Sequence, residues 1–417
     1  MNISSKVIIP KTIHVHLCDI ALLIYFCVMF AHQQETLFGR CLRYGSLFFV
    51  LGSTLVTYPI PLDRKNRIEW HVDSFGLWML AVLCYGAVSM IWCMDMGSAV
   101  NVLWNLVKVL AVCFCLAPRL NSEKEIERIC SLLLLALVYM VILLLVLTPR
   151  DALGTIRIGS ELGQNSNEIG RLAGLGSLLS FYFYTRKQHK MYLLLVAVFA
   201  GTALLTGSKN AILILLFQLG LYIFLIAGSW KKLLAVAAAA AGAVALYWLV
   251  MHNAVLYGLV GSRIERMLGF LGGGDVDGST MERLYFMRTA AQLFLQHPLK
   301  GIGLDSFSAY LASIGYHNAV YSHCGFLELL STLGVVGFVL YYGMYAKILS
   351  GLRKPALARK MLLAVCFTLA LRMFLFDIST ISLYTYHSYI LLLLAYACMH
   401  VQQRPQEMRM SGKRGER

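Results

Sequence analysis

The polar interruptions of this sequence bring together a histidine, several cations and side-chain amides, the groups needed to take a proton beside a phosphorylated ligand. His323 stands where the chain re-enters an apolar run, and an imidazole at that position can accept a proton from a hydroxyl near neutral pH. His317, beside Asn318, competes for the same role, and Glu328 follows His323 along the run. Upstream, Ser279 and Glu282 form a capping box that starts a helix. At about 100° per residue, that helix places Arg283 on a face with Met287, Ala290 and Phe294, and Arg288 on a face with Gln292 and Gln296. A cation aimed at packed surface needs a partner or must snorkel to water, whereas Arg288 is simply solvated. Two further stretches carry similar groups: Lys209 in the turn LLTGSKNAIL, and Asn165, Asn167 and Arg171 in SELGQNSNEIGR, with Arg157 shortly before. Converging cations and amides donate charge-assisted hydrogen bonds to phosphate or diphosphate oxygens, so an anionic, lipid-linked ligand is expected.

The elements that must position these residues belong to a membrane protein. Soluble domains carry about 45–50% apolar and about 25% charged residues, whereas this chain has 59% and 14%, with a mean hydropathy of +0.69. Apolar runs long enough to cross the hydrocarbon core recur along it, and the expected fold is an all-α, polytopic bundle of about 12 spans. They are placed at roughly 13–31, 44–61, 74–93, 99–117, 129–148, 167–185, 191–206, 210–228, 233–251, 323–346, 361–377 and 384–402. One long loop, residues 252–322, contains the amphipathic helix.

With the N-terminus in the cytoplasm, roughly 23 of the 36 Lys and Arg residues fall on the inner side, as the positive-inside rule favours. The chain then divides into an N-terminal bundle (1–251), an extracytoplasmic loop (252–322), C-terminal spans (323–402) and a basic cytoplasmic tail (403–417). Both termini are expected inside, the N-terminus retained rather than cleaved. Every cation singled out above then falls on the outer side. Lys108, Arg372 and Asp377 lie within spans, where charge is costly, and Lys108 has no obvious partner in the sequence.

The net charge of +15 is spread over short clusters between apolar runs, which argues against nucleic acid as a partner. The eleven cysteines are scattered, mostly within spans, without the spacing of a zinc site or a disulfide framework. Neither a phosphate-binding Gly-rich loop ending in Lys-Ser/Thr nor a dinucleotide fingerprint is present, so no metal, nucleotide or other cofactor is expected.

Arg283, then Pro298-Leu299-Lys300-Gly301-Ile302-Gly303, then His323 leading through Leu327-Glu328-Leu329-Leu330 to Gly334 and Gly337, resemble the bacterial O-antigen ligase and polymerase family. That family carries an arginine-led helix, a P-L-x-G-x-G turn and a span reading H-x-x-x-L-E-L-L-x-x-x-G-x-x-G. The resemblance selects His323 over His317. Ser208-Lys209 stands where the family often has Ser-Arg, and Cys324 follows the histidine where asparagine is common.

The resemblance implies glycan transfer at the outer face of the bacterial cytoplasmic membrane, from a polyprenyl-diphosphate-linked oligosaccharide to a glycan acceptor. His323 is then expected to act as base, with Arg283 and Lys209 on the leaving diphosphate and Arg171, Arg157, Asn167, Arg288 and Glu328 as further substrate contacts. A polymerase of surface polysaccharide, O-antigen or capsule, is preferred to a ligase acting on lipid A core. Membrane lipid, a flippase and a chain-length regulator are the expected partners. The rival from another class is a lipid-linked oligosaccharide transporter, which would place charges deep in many spans; here the polar groups gather on one side.

Overall fold

A computed structural model describes residues 11–33, 35–57, 73–149, 157–271, 278–316 and 321–414 of the chain. Where hydrocarbon surrounds the backbone, every N–H and C=O must be satisfied inside the segment, so apolar runs fold as helices. α1 (Lys11–Ala31) and α2 (Leu37–Thr57) pair as a hairpin, followed by α3 (Ser74–Ser89), α4 (Met96–Leu116) and α5 (Glu123–Leu147). Next come α6 (Ser166–Lys187), α7 (Met191–Leu205), α8 (Lys209–Ile226) and α9 (Ser229–His252). Each of the first nine expected spans coincides with one of these helices. Polar caps fix several starts: Asp73, Asp95, Ser122 and Ser208 each accept a backbone N–H from the first turn that follows.

After α9 the chain departs from the expected loop. The helix 240–252 meets the next helical stretch, 254–266, at 91°, which comprises α10 (Ala254–Leu256), a π-helical turn and α11 (Ser262–Leu271). Leu259 and Val260 are buried there against Ile212 and Val250, so this part of the connector is packed structure. The Gly-rich connector at 272–277, His317 and Asn318 lie outside the described residues. The amphipathic helix is α12 (Gly278–Gln296), which is already helical at Ser279, the residue expected to cap it, and a short α13 (Phe307–Ser313) follows.

The last three expected spans are α14 (Gly325–Leu357), α15 (Met361–Phe376) and α16 (Tyr386–Arg414). Among the described residues, five helices are long and apolar enough to cross a membrane, or six counting the bent pair, and four shorter apolar helices accompany them. The twelve expected spans are therefore all helical, while fewer meet the length and apolarity a full crossing requires.

α14 packs on α3, α12 and α15, α15 on α8 and α16, and α6 on α5, α7 and α8. The core is aromatic where α3, α14 and α16 meet: Trp78, Tyr341, Tyr345 and Tyr389 are buried together. Their polar ends are satisfied, since Tyr341 and Tyr345 both donate to Ser382 Oγ (2.9 and 3.1 Å). Tyr342 donates to Asp377 Oδ2 (2.7 Å). The intramembrane charges are thus engaged separately, Asp377 by a shell of hydroxyls and Arg372 by Gln218 Oε1 (3.4 Å).

Candidate active site

α14 is interrupted where the motif has its first glycine. Gly334 takes φ 66° and ψ −170°, which frees backbone groups on both sides of it. The PLKGIG turn takes them up. Ile302 N donates to Ser331 O (2.9 Å) and Gly303 N to Thr332 O (2.8 Å), while Val335 N donates to Pro298 O (2.8 Å) and Val336 N to Leu299 O (3.4 Å). This docking is backbone against backbone. A Cβ on Gly301 (φ 64°) would lie 2.3 Å from the Thr332 carbonyl, and one on Gly334 would lie 2.3 Å from that of Leu299. The turn is therefore a clamp on α14 as well as a stop for α12.

The clamp joins α12, which carries Arg283, to the segment that carries His323. That segment is held from three sides. Ser322 N donates to Glu328 Oε2 (2.8 Å), Ser322 Oγ to Cys324 O (3.0 Å), and Gly325 N to Asp377 O (2.6 Å). His323 itself adopts a left-handed backbone, φ 61°. Glu328, expected among the substrate contacts, is instead 1% exposed and turned back onto the bend below His323. Glu328→Gln keeps the accepting oxygen and is expected to leave thermal stability in detergent unchanged. Glu328→Ala strands the Ser322 N–H and costs about 1–3 kcal/mol, seen as a lower unfolding midpoint. Equal midpoints for the two variants would show that the carboxylate does not hold the bend.

The His323 ring lies in an aromatic collar. Phe286 of α12 stacks parallel to it at 6.2 Å (10°), and the Tyr321 ring is 4.4 Å away. Tyr316 extends the collar through Phe286 (5.9 Å) and Tyr285 (4.9 Å). Burial in this collar, with the Arg283 charge adding to it, pushes the imidazole down to about 4. His323 is therefore neutral at pH 7, with a ring nitrogen able to accept a proton.

The expected stripe of α12 is shifted by one residue: Phe286, Ala290 and Leu293 are buried, while Met287 and Phe294 lie at the border. Arg283 is one turn before Phe286 on the buried line, exposed where the line reaches the end of the helix. Its charge is felt by both His323 and Arg157. Arg288 is exposed, as its face predicts.

Arg157 connects the two distant cation clusters to this helix. Its Nε donates to Thr206 O (2.9 Å), beside the turn that leads to Lys209, and a terminal nitrogen donates to Asn167 Oδ1 (2.8 Å), on the first turn of α6. Burial, and then the charges of Arg263 and Arg283, push its guanidinium below its usual range. Lys209 donates to Arg263 O (3.3 Å), tying α11 to the start of α8. Arg171 pairs with Glu168, which also lies 3.5 Å from His387 Nε2. Arg157 is thus repelled by both Arg263 and Arg283, and Arg283 also acts on the neutral His323 imidazole, an arrangement that an anion relieves.

Sequence reasoning did not assign Phe286, Tyr321 or His387 to the site, and it placed Arg263 on the outer side without a role there. Phe286 was within reach, since it lies one helical turn beyond Arg283. Arg263 and His387 join only through the bend after α9 and the packing of α16, which have no local signature.

No curated protein gives a significant match to the chain. Residues 192–342, which run from α7 through the bent helices, α12, the PLKGIG clamp and His323 to the middle of α14, match the family described as O-antigen ligase (Wzy_C).

Proposed function

We propose that the protein transfers glycan from a polyprenyl-diphosphate-linked donor to a sugar hydroxyl at the outer membrane face, and that it is a polymerase of surface polysaccharide. The observation that supports this reading is Arg283, whose charge reaches the neutral ring of His323 on one side and Arg157, itself beside Arg263, on the other. His323 removes the proton from the acceptor hydroxyl as its oxygen attacks the anomeric carbon, and the bond from that carbon to the diphosphate oxygen breaks. The leaving polyprenyl diphosphate is stabilised by Arg283 and Arg157, a contribution on the order of several kcal/mol. Lys209 and Asn167 support the cations from behind, and the apolar cavity of about 170 Å³ beside Lys209, between α8, α9 and α11, suits the first part of a lipid chain.

The charge arrangement makes the base responsive to its substrate. A diphosphate bound between Arg283 and His323 offsets the cation that depresses the imidazole, so proton affinity rises when the donor is in place. In the free protein the base is active above its pKa and lost as pH falls through about 4. The acid limb of kcat/KM is therefore expected near pH 4, and Arg283→Gln moves it upward while lowering the rate about 100-fold. The pH profile of chain extension by reconstituted protein tests this, and a limb that stays in place or moves down in Arg283→Gln would sink the assignment. A transporter reading predicts no new glycosidic bond in the same assay.

A further inference from the structure

A second, larger cavity, about 400 Å³, lies between α1, α2, α4 and α16, outside the clamp and its cations. Its walls carry Arg40 and Arg43 on one face of α2 and Lys108 from α4. Among the described lining residues the carboxylate is Glu35, which accepts from Arg43 (2.9 Å) and is 79% exposed. Lys108 belongs to an apolar helix able to span a membrane, where an ammonium is costly unless it serves something. Its Nζ lies over the rings of Tyr44 (5.3 Å) and Tyr386 (5.9 Å).

The rest of the lining is suited to sugar. Asn101 and Asn105 are one helical turn apart on α4, and Trp104 donates to the Tyr44 hydroxyl (3.3 Å), which fixes an aromatic edge at the cavity. Outside the cavity, α2 exposes Leu37 (75%), Phe38 (70%) and Phe48 (66%), a surface for lipid chains.

The position beside a second cationic pocket gives this chemistry a use. Tyr386 lines the cavity, and the next residue, His387, faces the other way into the pocket shared with Arg171 and Arg372. The first turn of α16 thus separates two cationic pockets at one end of the bundle. We infer that the α1–α2–α4–α16 cavity binds the phosphate-bearing headgroup of a second glycolipid, the acceptor. Arg40, Arg43 and Lys108 hold its phosphate oxygens, Asn101 and Asn105 its first sugar, and α2 its lipid chain. This rests on the glycan-transfer reading above and adds to it the place of the acceptor: the cavity lined by Arg40, Arg43 and Lys108. That chemistry fits a polyprenyl-diphosphate-linked repeat, as a polymerase requires, and equally a phosphorylated lipid A core, as a ligase requires.

The test reads binding and turnover separately. Full-length protein carrying His323→Asn, in nanodiscs, is exposed to a polyprenyl-diphosphate glycan, to a phosphorylated lipid A core, or to an uncharged glycolipid, and retained lipid is measured by native mass spectrometry. Retention of lipid A core, or of a second polyprenyl-diphosphate glycan per protein beyond the one held as donor, weakened about tenfold by Arg43→Gln with Lys108→Gln and restored by Lys108→Arg, supports the site, and the lipid so retained identifies the acceptor. Retention beyond the donor copy that is equal with and without the two cations, equal for the uncharged glycolipid, or absent altogether overturns it. In a chain-extension assay with His323 intact, the double variant is expected to raise KM for acceptor at least about tenfold and leave KM for donor unchanged. Should no transfer occur at all, the glycan-transfer reading fails while the binding arm still decides the site.

Discussion

Replacing His323 is expected to lower glycan transfer by about 10²–10⁴-fold, the range over which a positioned general base contributes, with the protein still in the membrane in normal amount. The choice of substitution matters because the residue sits at φ 61°. Alanine there adds strain of about 1–2 kcal/mol, whereas asparagine tolerates the left-handed region and isolates loss of the imidazole. His323→Asn should therefore match wild type in thermal midpoint and in binding of lipid-linked donor, and differ only in turnover. Surface polysaccharide of normal length in a strain carrying His323→Asn would exclude the imidazole as base. The parallel Phe286 ring and the adjacent Tyr321 argue that ring orientation counts as well as presence. Phe286→Ala is accordingly expected to retain the base but lose part of the rate through misplacement.

The largest structural effect is expected at the clamp. Gly334→Ala would put a Cβ 2.3 Å from the Leu299 carbonyl at a φ of 66°, and Gly301→Ala would do the same to Thr332. The dihedral alone costs about 1–3 kcal/mol. Pushing the two backbones apart also strands the partners of four hydrogen bonds, each at about 1–3 kcal/mol when buried. The total is comparable with the whole stability of a typical folded protein, about 5–15 kcal/mol, so either variant should yield little monodisperse protein after solubilisation. Gly343→Ala, on the same helix with nothing within 4 Å of the added carbon, is the matched control and should be tolerated. Wild-type yield and midpoint for Gly334→Ala would show that the turn and the broken helix can separate without loss.

The helices were legible in the sequence because apolar runs in hydrocarbon have few alternatives, and each expected span coincides with one. The candidate base and its cation, Arg283 before PLKGIG before His323, were legible through the order in which the resemblance to the family places them. The second function of the same residues was not. The glycines of PLKGIG and Gly334 look like separate turn and packing signals until the docked backbones show that each satisfies the other. Glu328 read as a ligand contact because a carboxylate near a histidine invites that, and only the Ser322 N–H beneath the bend reveals its task. Arg157 joined the cations through contacts to the turn before α8 and to the start of α6, which no periodicity encodes. Lys108 had no partner in its own stretch because its neighbours, Tyr44 and Tyr386, come from opposite ends of the chain.

The reciprocal backbone pairing between the PLKGIG turn and α14 also bears on how such a protein can change over time. Arg283 and His323 hang from one joint, so neither can drift to a new position without the other, and substitutions near the joint are filtered for fold before they are filtered for activity. The cavity of α1, α2, α4 and α16 shares no backbone clamp with them. On the acceptor reading proposed above, a lineage can alter which sugars it accepts by changing Asn101, Asn105 or Trp104 without touching Arg283 or His323, so a change of accepted glycan need not disturb the joint that holds them.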